Sequence, residues 1–226
     1  MCGRSSLTKT EKELEERFNA SFYSEDLERY NPLPNYNVAP SHITPVISNI
    51  DSHHFRPFRW GLIPYWAKES NIGYKMINAR IETIMEKTTF RKAMEKRRCI
   101  VPFDGFYEWK KTADGKVPYR IQTTDVEIFA IAGLWDKWIS PEGKVIYSFT
   151  LITQKPNNKL NEIHDRMPAI LLKDQEELWL SEDIAPQELL NMIAPYPEEH
   201  IKAYPVSKRV NNVRNNDADL ILEAIE

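Results

Sequence analysis

Cysteine at position 2, directly behind Met1 in Met1-Cys2-Gly3-Arg4, has more chemistry open to it than any other residue of the chain. Removal of a methionine that precedes a small residue leaves a terminal cysteine, with its α-amine and its thiol on adjacent carbons. Reference pKa values of about 7.7–8.0 for the amine and about 8.5 for the thiol give both a reactive fraction near neutral pH. Toward an aldehyde, such a 1,2-aminothiol first forms a Schiff base through nitrogen. It then closes through sulfur to a five-membered thiazolidine, which outlasts the imine. Cysteine at position 2 has no role in most chains, so the partners available to it decide the reading.

Three stretches offer partners. His164-Asp165-Arg166-Met167-Pro168 comes after the strand ending at Thr153 and before the apolar run Ala169 to Leu172, in a loop at a strand entrance, and sets an imidazole beside an acid and a base. That setting suits proton transfer, and it equally suits a structural ion pair. Phe106-Tyr107-Glu108-Trp109 holds a carboxylate inside an aromatic strand, where period-two alternation puts Glu108 on the face of Phe106 and turns Tyr107 and Trp109 the other way. Buried, that carboxyl has a raised pKa and serves as a general acid or base; half-exposed, it only faces water. Asn78-Ala79-Arg80 pairs an amide able to orient an amine with a guanidinium suited to a phosphate. In Trp60-Gly61-Leu62-Ile63-Pro64-Tyr65-Trp66, aromatics crowd a turn, as core or, at Trp66, as a stacking platform for a nucleobase. Pro205 to Arg214 is polar and basic, with Lys208 and Arg209 adjacent.

The elements that must position these residues read as an α+β domain built on a curved, mostly antiparallel sheet or partly closed β-barrel with short flanking helices. A helix is expected from Thr10, with Glu13 completing a capping box, to about Asn19. Four prolines between residues 31 and 45 predict ordered loop there. Strands are expected at Val46 to Ile50, Phe55 to Gly61, Cys99 to Phe103, Phe106 to Lys110, Tyr119 to Gln122, Val126 to Ala132 and Val145 to Thr153, with Asp114-Gly115 turning a hairpin. Further helices are expected at 88–97, 174–181 and 186–194, the last opened by Pro186. No internal repeat and no boundary divides the sequence, which predicts a single domain over residues 1–226.

Length and charge narrow the function classes. With 226 residues, 42% hydrophobic and 11% aromatic, the chain can bury one substantial core. No segment has the roughly 20 apolar residues a membrane helix needs, and residues 1–6 carry no apolar run; the expectation is a cytoplasmic protein without membrane contact. Cys2 and Cys99 make no disulfide framework, no Cys/His spacing suits zinc, and no cofactor is expected; Cys99 reads as a core thiol. A net charge of −3 argues against a general nucleic-acid binder, yet residues 1–120 hold 20 basic against 15 acidic side chains, and residues 121–226 hold 10 against 18. An anionic ligand favours the first half. The run Arg91, Lys92, Lys96, Arg97 and Arg98 fits a solvated helix face better than a phosphate site.

Taken in order, Met1-Cys2-Gly3-Arg4, Tyr36-Asn37-Val38-Ala39-Pro40, Trp60-Gly61, Asn78-Ala79-Arg80, Asp104-Gly105-Phe106-Tyr107-Glu108-Trp109, His164-Asp165-Arg166-Met167-Pro168 and Pro205-Val206-Ser207 resemble the SOS-response-associated peptidase (SRAP) family. The resemblance spans nearly the whole chain. It implies that Cys2, freed of Met1, captures the open-chain aldehyde of an abasic site in single-stranded DNA as a thiazolidine crosslink that shields the lesion. On that resemblance Asn78 holds the amine, and Glu108 and His164 move protons. Arg4, Arg80, Arg166, Lys208 and Arg209 meet DNA, Trp66 stacks on a base and Pro40 lines the site. The family name adds a peptidase step, confined to exposing Cys2, and a lyase side activity fits the imine. The resemblance also implies a nucleoid location when bound to DNA. Two other classes remain: an N-terminal-nucleophile glutamine amidotransferase, whose Asn-Gly-Glu stretch is lacking here, and a non-covalent single-stranded nucleic-acid module.

Overall fold

The computed structural model describes residues 2–224; Met1, whose loss the terminal aminothiol requires, and residues 225–226 lie outside the described residues. The strands are β1 Ser5–Leu7, β2 Ser21–Phe22, β3 Asn35–Val38, β4 Ile43–Ser48, β5 Asp51–Trp60, β6 Asn78–Arg80, β7 Arg98–Phe103, β8 Gly105–Thr112, β9 Gly115–Thr123, β10 Phe129–Ile139, β11 Val145–Gln154, β12 Met167–Pro168, β13 Ile170–Leu171 and β14 Ile201–Pro205. The helices are α1 Glu11–Phe18, α2 Thr88–Lys96, α3 Asn158–Asn161, α4 Lys173–Leu180 and α5 Pro186–Met192.

Five strands close on themselves. β11 pairs with β10, β10 with β7, β7 with β4 and β4 with β5, all antiparallel, and β5 returns in parallel to β11 through Ser148 opposite Arg59 and Phe149 opposite Trp60. β2, β6, β12 and β13 extend this barrel. A second sheet runs in the order β14, β9, β8, β1, β3. The expected architecture, α+β with a mostly antiparallel barrel and short helices, is the observed one. Closure removes strand edges, and the interior fills with packed aromatics: the Trp60 ring lies tilted at 6.0 Å from Phe103 and stacked at 6.2 Å from Phe149, centroid to centroid. Each such buried side chain contributes about 1.5–3 kcal/mol.

Local signals explain the helices and the hairpin. Thr10 and Glu13 form the expected reciprocal cap of α1, with Glu13 N donating to Thr10 Oγ1 (3.3 Å) and Thr10 N to Glu13 Oε2 (2.9 Å). Such a cap stabilises a helix by about 1 kcal/mol. Gly115, at φ +121°, makes the turn between β8 and β9. Buried Arg98 ends two helices together, donating to Met94 O of α2 at 2.8 Å and, past the end of α4, to Ser181 O at 2.6 Å.

Two expectations fail. The proline-rich passage is not all loop: Asn35–Val38 forms β3, and β4 begins at Ile43. No proline falls within β3, and Pro45 lies directly opposite Pro57 across the β4–β5 ladder, so the two residues without an N–H share one position of the ladder. The strand expected at 126–132 instead runs from Phe129 to Ile139, because Asp136 and Lys137 interrupt its apolar pattern without ending it. Among the described residues, no helix is long and apolar enough to cross a membrane.

Candidate active site

The N-terminal segment enters the second sheet as β1, between β8 and β3, and this puts Cys2 beside the strand that carries Glu108. Cys2 is fully buried. Burial, and then the negative charge of Glu108, push its thiol up to about 12. Two backbone bonds fix the segment: Asn78 Nδ2 donates to Cys2 O at 2.8 Å, and Tyr107 N donates to Arg4 O at 2.9 Å. Asn78 stands on β6, which reaches this position because it pairs in parallel with β11, Asn78 opposite Leu151. Its Oδ1 is buried and has no hydrogen-bond partner among the described residues.

Glu108 is 3% exposed. Its neighbours divide as the strand alternation requires, Phe106 packing into the main core and Tyr107 and Trp109 into a separate apolar cluster. Burial raises the Glu108 carboxyl to about 7, and the charge of Asp165 adds to the rise. His164, in the loop between α3 and β12, brings Nε2 to 3.6 Å from Glu108 Oε2. The Arg166 amide donates to His164 Nδ1 at 3.1 Å, and Asp165 Oδ1 stands 3.1 Å from the same nitrogen. Burial lowers the imidazole below its ordinary range, so it is neutral at pH 7. A carboxyl whose charge reaches the buried thiol, an imidazole 3.6 Å from that carboxyl and an amide bonded to the Cys2 carbonyl thus gather around one residue.

The other candidates fall into three groups. Arg80 and Lys208 are exposed, as is Trp66 at 52%. Pro40 is half-buried in the β3–β4 connection, where Ser41 N donates to Trp60 O at 2.9 Å. The remaining three guanidiniums are engaged by groups of the protein itself, Arg166 buried, Arg4 half-buried and Arg209 exposed. Arg166 forms a two-pronged pair with Glu82, at 2.6 and 2.9 Å, and Arg209 does the same with Asp217, at 3.1 and 2.7 Å. Arg4 Nη1 donates to Asn37 Oδ1 at 2.7 Å and to Val210 O. Among the described residues no group of three or more His, Cys, Asp or Glu side chains is arranged to hold a metal.

The turn that carries Trp66 is rigidly held. Ile63 N donates to Ser148 Oγ at 2.8 Å, Tyr65 N to buried Asp136 at 3.0 Å, and Trp138 Nε1 to Ala67 O at 2.7 Å. At its start Gly61 adopts φ +111°, and a Cβ there would stand 2.6 Å from Gly73 O, so only glycine fits. Sequence reasoning missed Asp136 and Asn37. Each lies in a strand that the sequence did not place there, and its partners are distant in the chain.

A closed barrel lies beside a sheet whose first strand brings Cys2 to the strand of buried Glu108, with His164 3.6 Å from that carboxylate. The chain matches the SOS response associated peptidase (SRAP) family model over residues 1–213 and belongs to that family. It is 44% identical over 224 residues to the abasic site processing protein YoqW of Bacillus subtilis, covering 98% of this chain and 99% of that one. To the abasic site processing protein HMCES of Mus musculus it is 34% identical over 236 residues, covering 84% of this chain and 65% of that one. The X-ray crystal structure of a protein from Bacteroides thetaiotaomicron superposes with a TM-score of 0.92 at 29% identity, covering 99% of this chain and 100% of that one.

Proposed function

We propose that this protein processes abasic sites in single-stranded DNA by covalent capture at Cys2. The observation that carries the reading is the burial of the Cys2 thiol beside Glu108, with His164 3.6 Å from that carboxylate and Asn78 holding the Cys2 carbonyl. After Met1 is lost, the Cys2 amine adds to C1′ of the ring-opened deoxyribose. The resulting carbinolamine loses one water to give the imine. The thiol then adds across the C=N bond, its sulfur bonding to C1′ and its proton passing through Glu108 to nitrogen, which gives a neutral thiazolidine. The protonated form of Glu108 assists loss of hydroxide from the carbinolamine, its carboxylate takes the thiol proton, and His164 supports the carboxylate as it forms. Asn78 Oδ1 accepts from the amine. Ring closure removes the iminium that drives β-elimination, so the adduct shields the strand.

DNA contacts follow the exposure of the candidates. Arg80 and Lys208 meet phosphates, Pro40 lines the site, and Arg4, Arg166 and Arg209 contribute positive charge from their paired positions. Trp66 stacks on a base: Trp66→Ala is expected to weaken binding to an intact single strand by about 1–3 kcal/mol, the usual worth of one base–aromatic stack. Fluorescence anisotropy with a labelled oligonucleotide measures this, and an unchanged affinity removes Trp66 from the interface.

Intact mass measurement tests the whole reading. Mixed with an abasic single strand, the protein is expected at the mass of the chain lacking Met1 plus the oligonucleotide minus one water. An intact strand should give no conjugate. A chain that loses Met1 and stays unmodified by the abasic strand overturns the proposal, and release of ammonia from glutamine would assign the thiol to amide chemistry instead.

A further inference from the structure

The stretch Tyr36-Asn37-Val38-Ala39-Pro40 holds a buried amide to which the proposed reaction gives no part. Asn37 is 1% exposed and sits in β3, the neighbour of β1. Its Nδ2 lies within hydrogen-bonding distance of three carbonyls of the C-terminal strap: Val210 at 3.3 Å, Asn212 at 3.1 Å and Asn215 at 2.9 Å. Its Oδ1 accepts from Arg4 Nη1 at 2.7 Å, and Arg4 Nη1 also donates to Val210 O. The orientation of the amide is fixed by chemistry, because turned over it would set an NH2 against a guanidinium and its oxygen against three others.

The strap runs from Val206 to Ala224 and covers the outer face of the second sheet. Val206, Val210 and Leu220 pack there on Tyr107 and Tyr204. Its far end is closed by the bridge between Val206 and Glu223 and by Ala224 N donating to Pro205 O at 2.8 Å. One buried side chain therefore links this strap to Arg4, two residues from the nucleophile. Asn78 and Tyr107 hold the same segment by its backbone; Asn37, through Arg4, holds it by a side chain.

We infer that Asn37 is a positioning residue, which with Arg4 locks the N-terminal segment against the C-terminal strap and so sets where Cys2 presents its amine and thiol. This rests on the covalent reading above. In it, Arg4 acts chiefly inward, and its loss affects the placement of the nucleophile more than the hold on the DNA backbone. A reacting group displaced by about 1 Å can cost a hundredfold in rate.

Conjugate formation with an abasic single strand, followed over a range of protein concentrations, separates placement from binding. Asn37→Ala is expected to slow the rate at saturation by about a hundredfold while leaving the half-saturating concentration unchanged. Arg4→Lys, which keeps the cation but is one bond too short to bring its nitrogen to the place of Nη1, from which both Asn37 Oδ1 and Val210 O are reached, is expected to do the same. Because the two act as one unit, the double variant should be no slower than the worse single variant. If Asn37→Ala does not fold, Arg4→Lys decides alone. A full rate at saturation in Arg4→Lys, with half-saturation either raised or unchanged, overturns the inference. A wild type that forms no conjugate overturns the underlying reaction instead, which separates the two failures.

Discussion

Cys2→Ala is expected to abolish the denaturation-resistant conjugate while leaving the first chemical step intact. Alanine at position 2 still permits Met1 removal and still presents an α-amine, so the imine with C1′ forms. With no sulfur to close on it, the imine partitions between hydrolysis and β-elimination, and the second route cuts the strand on the 3′ side of the lesion. Stable conjugate should fall by at least about a thousandfold, the scale on which loss of a covalent nucleophile acts. Borohydride added during the reaction should recover a crosslink by reducing the imine. Denaturing electrophoresis of an end-labelled abasic oligonucleotide reads stable conjugate, trapped imine and cut strand together. Cys99 cannot replace Cys2, since it is buried, its thiol is pushed far up by desolvation, and it carries no amine. A Cys2→Ala protein that gave the wild-type conjugate without borohydride would falsify the thiazolidine.

What the sequence made legible follows from how local each cause is. The capping box of α1, Pro186 at the start of α5 and the Asp114-Gly115 turn act within a few residues, and all three hold in the structure. The burial of Glu108 was left open by strand alternation, because period two assigns a face without saying whether that face is covered. The barrel covers it: Phe106, on the same face of β8, packs edge-on against Phe129 of β10. Neither β3 nor the true length of β10 could be read, since each depends on partners far away in the chain: β3 on the N-terminal strand, and β10 on the turn whose Tyr65 amide satisfies Asp136. Asn37 was hidden in the same way. Its partners lie 33 residues away in Arg4 and 173 to 178 residues away in the strap. The pairs of buried Arg166 with Glu82 and of exposed Arg209 with Asp217 were equally out of reach, since a guanidinium in a loop looks the same in sequence whether it faces an anion from solution or one from its own fold.

Glu108→Gln separates catalysis from stability, and the two should move in opposite directions. At pH 7 a thiol held at about 12 is thiolate in roughly one part in 10⁵, so sulfur attack depends on a neighbouring base to remove the proton as the bond forms. Glutamine cannot do so. The rate of conjugate formation at saturation should drop by about 10²–10⁴, the range for a general acid or base. In the wild type, where carboxylate is the form that takes the thiol proton, the ring-closing rate should rise with pH through about 7. His164 is lowered by burial and a free α-amine titrates ordinarily at about 7.7–8.0, so the inflection that belongs to the carboxyl is the one its replacement removes. Glu108→Gln should lose that inflection. Stability carries the same group with its own sign. The folded carboxyl titrates at about 7 against an ordinary value of 4.5, so the fold binds the extra proton between those limits. Its contribution is fully present below about 4.5 and is lost as pH rises through 7, because the ionised form is the one that burial penalises. The melting temperature of Glu108→Gln relative to wild type should therefore climb between those two values and level off above them. A variant that crosslinks at the wild-type rate with its pH dependence intact would show that the proton travels by another route. A melting difference that stays flat across the window would show instead that the carboxyl ionises at its ordinary pKa.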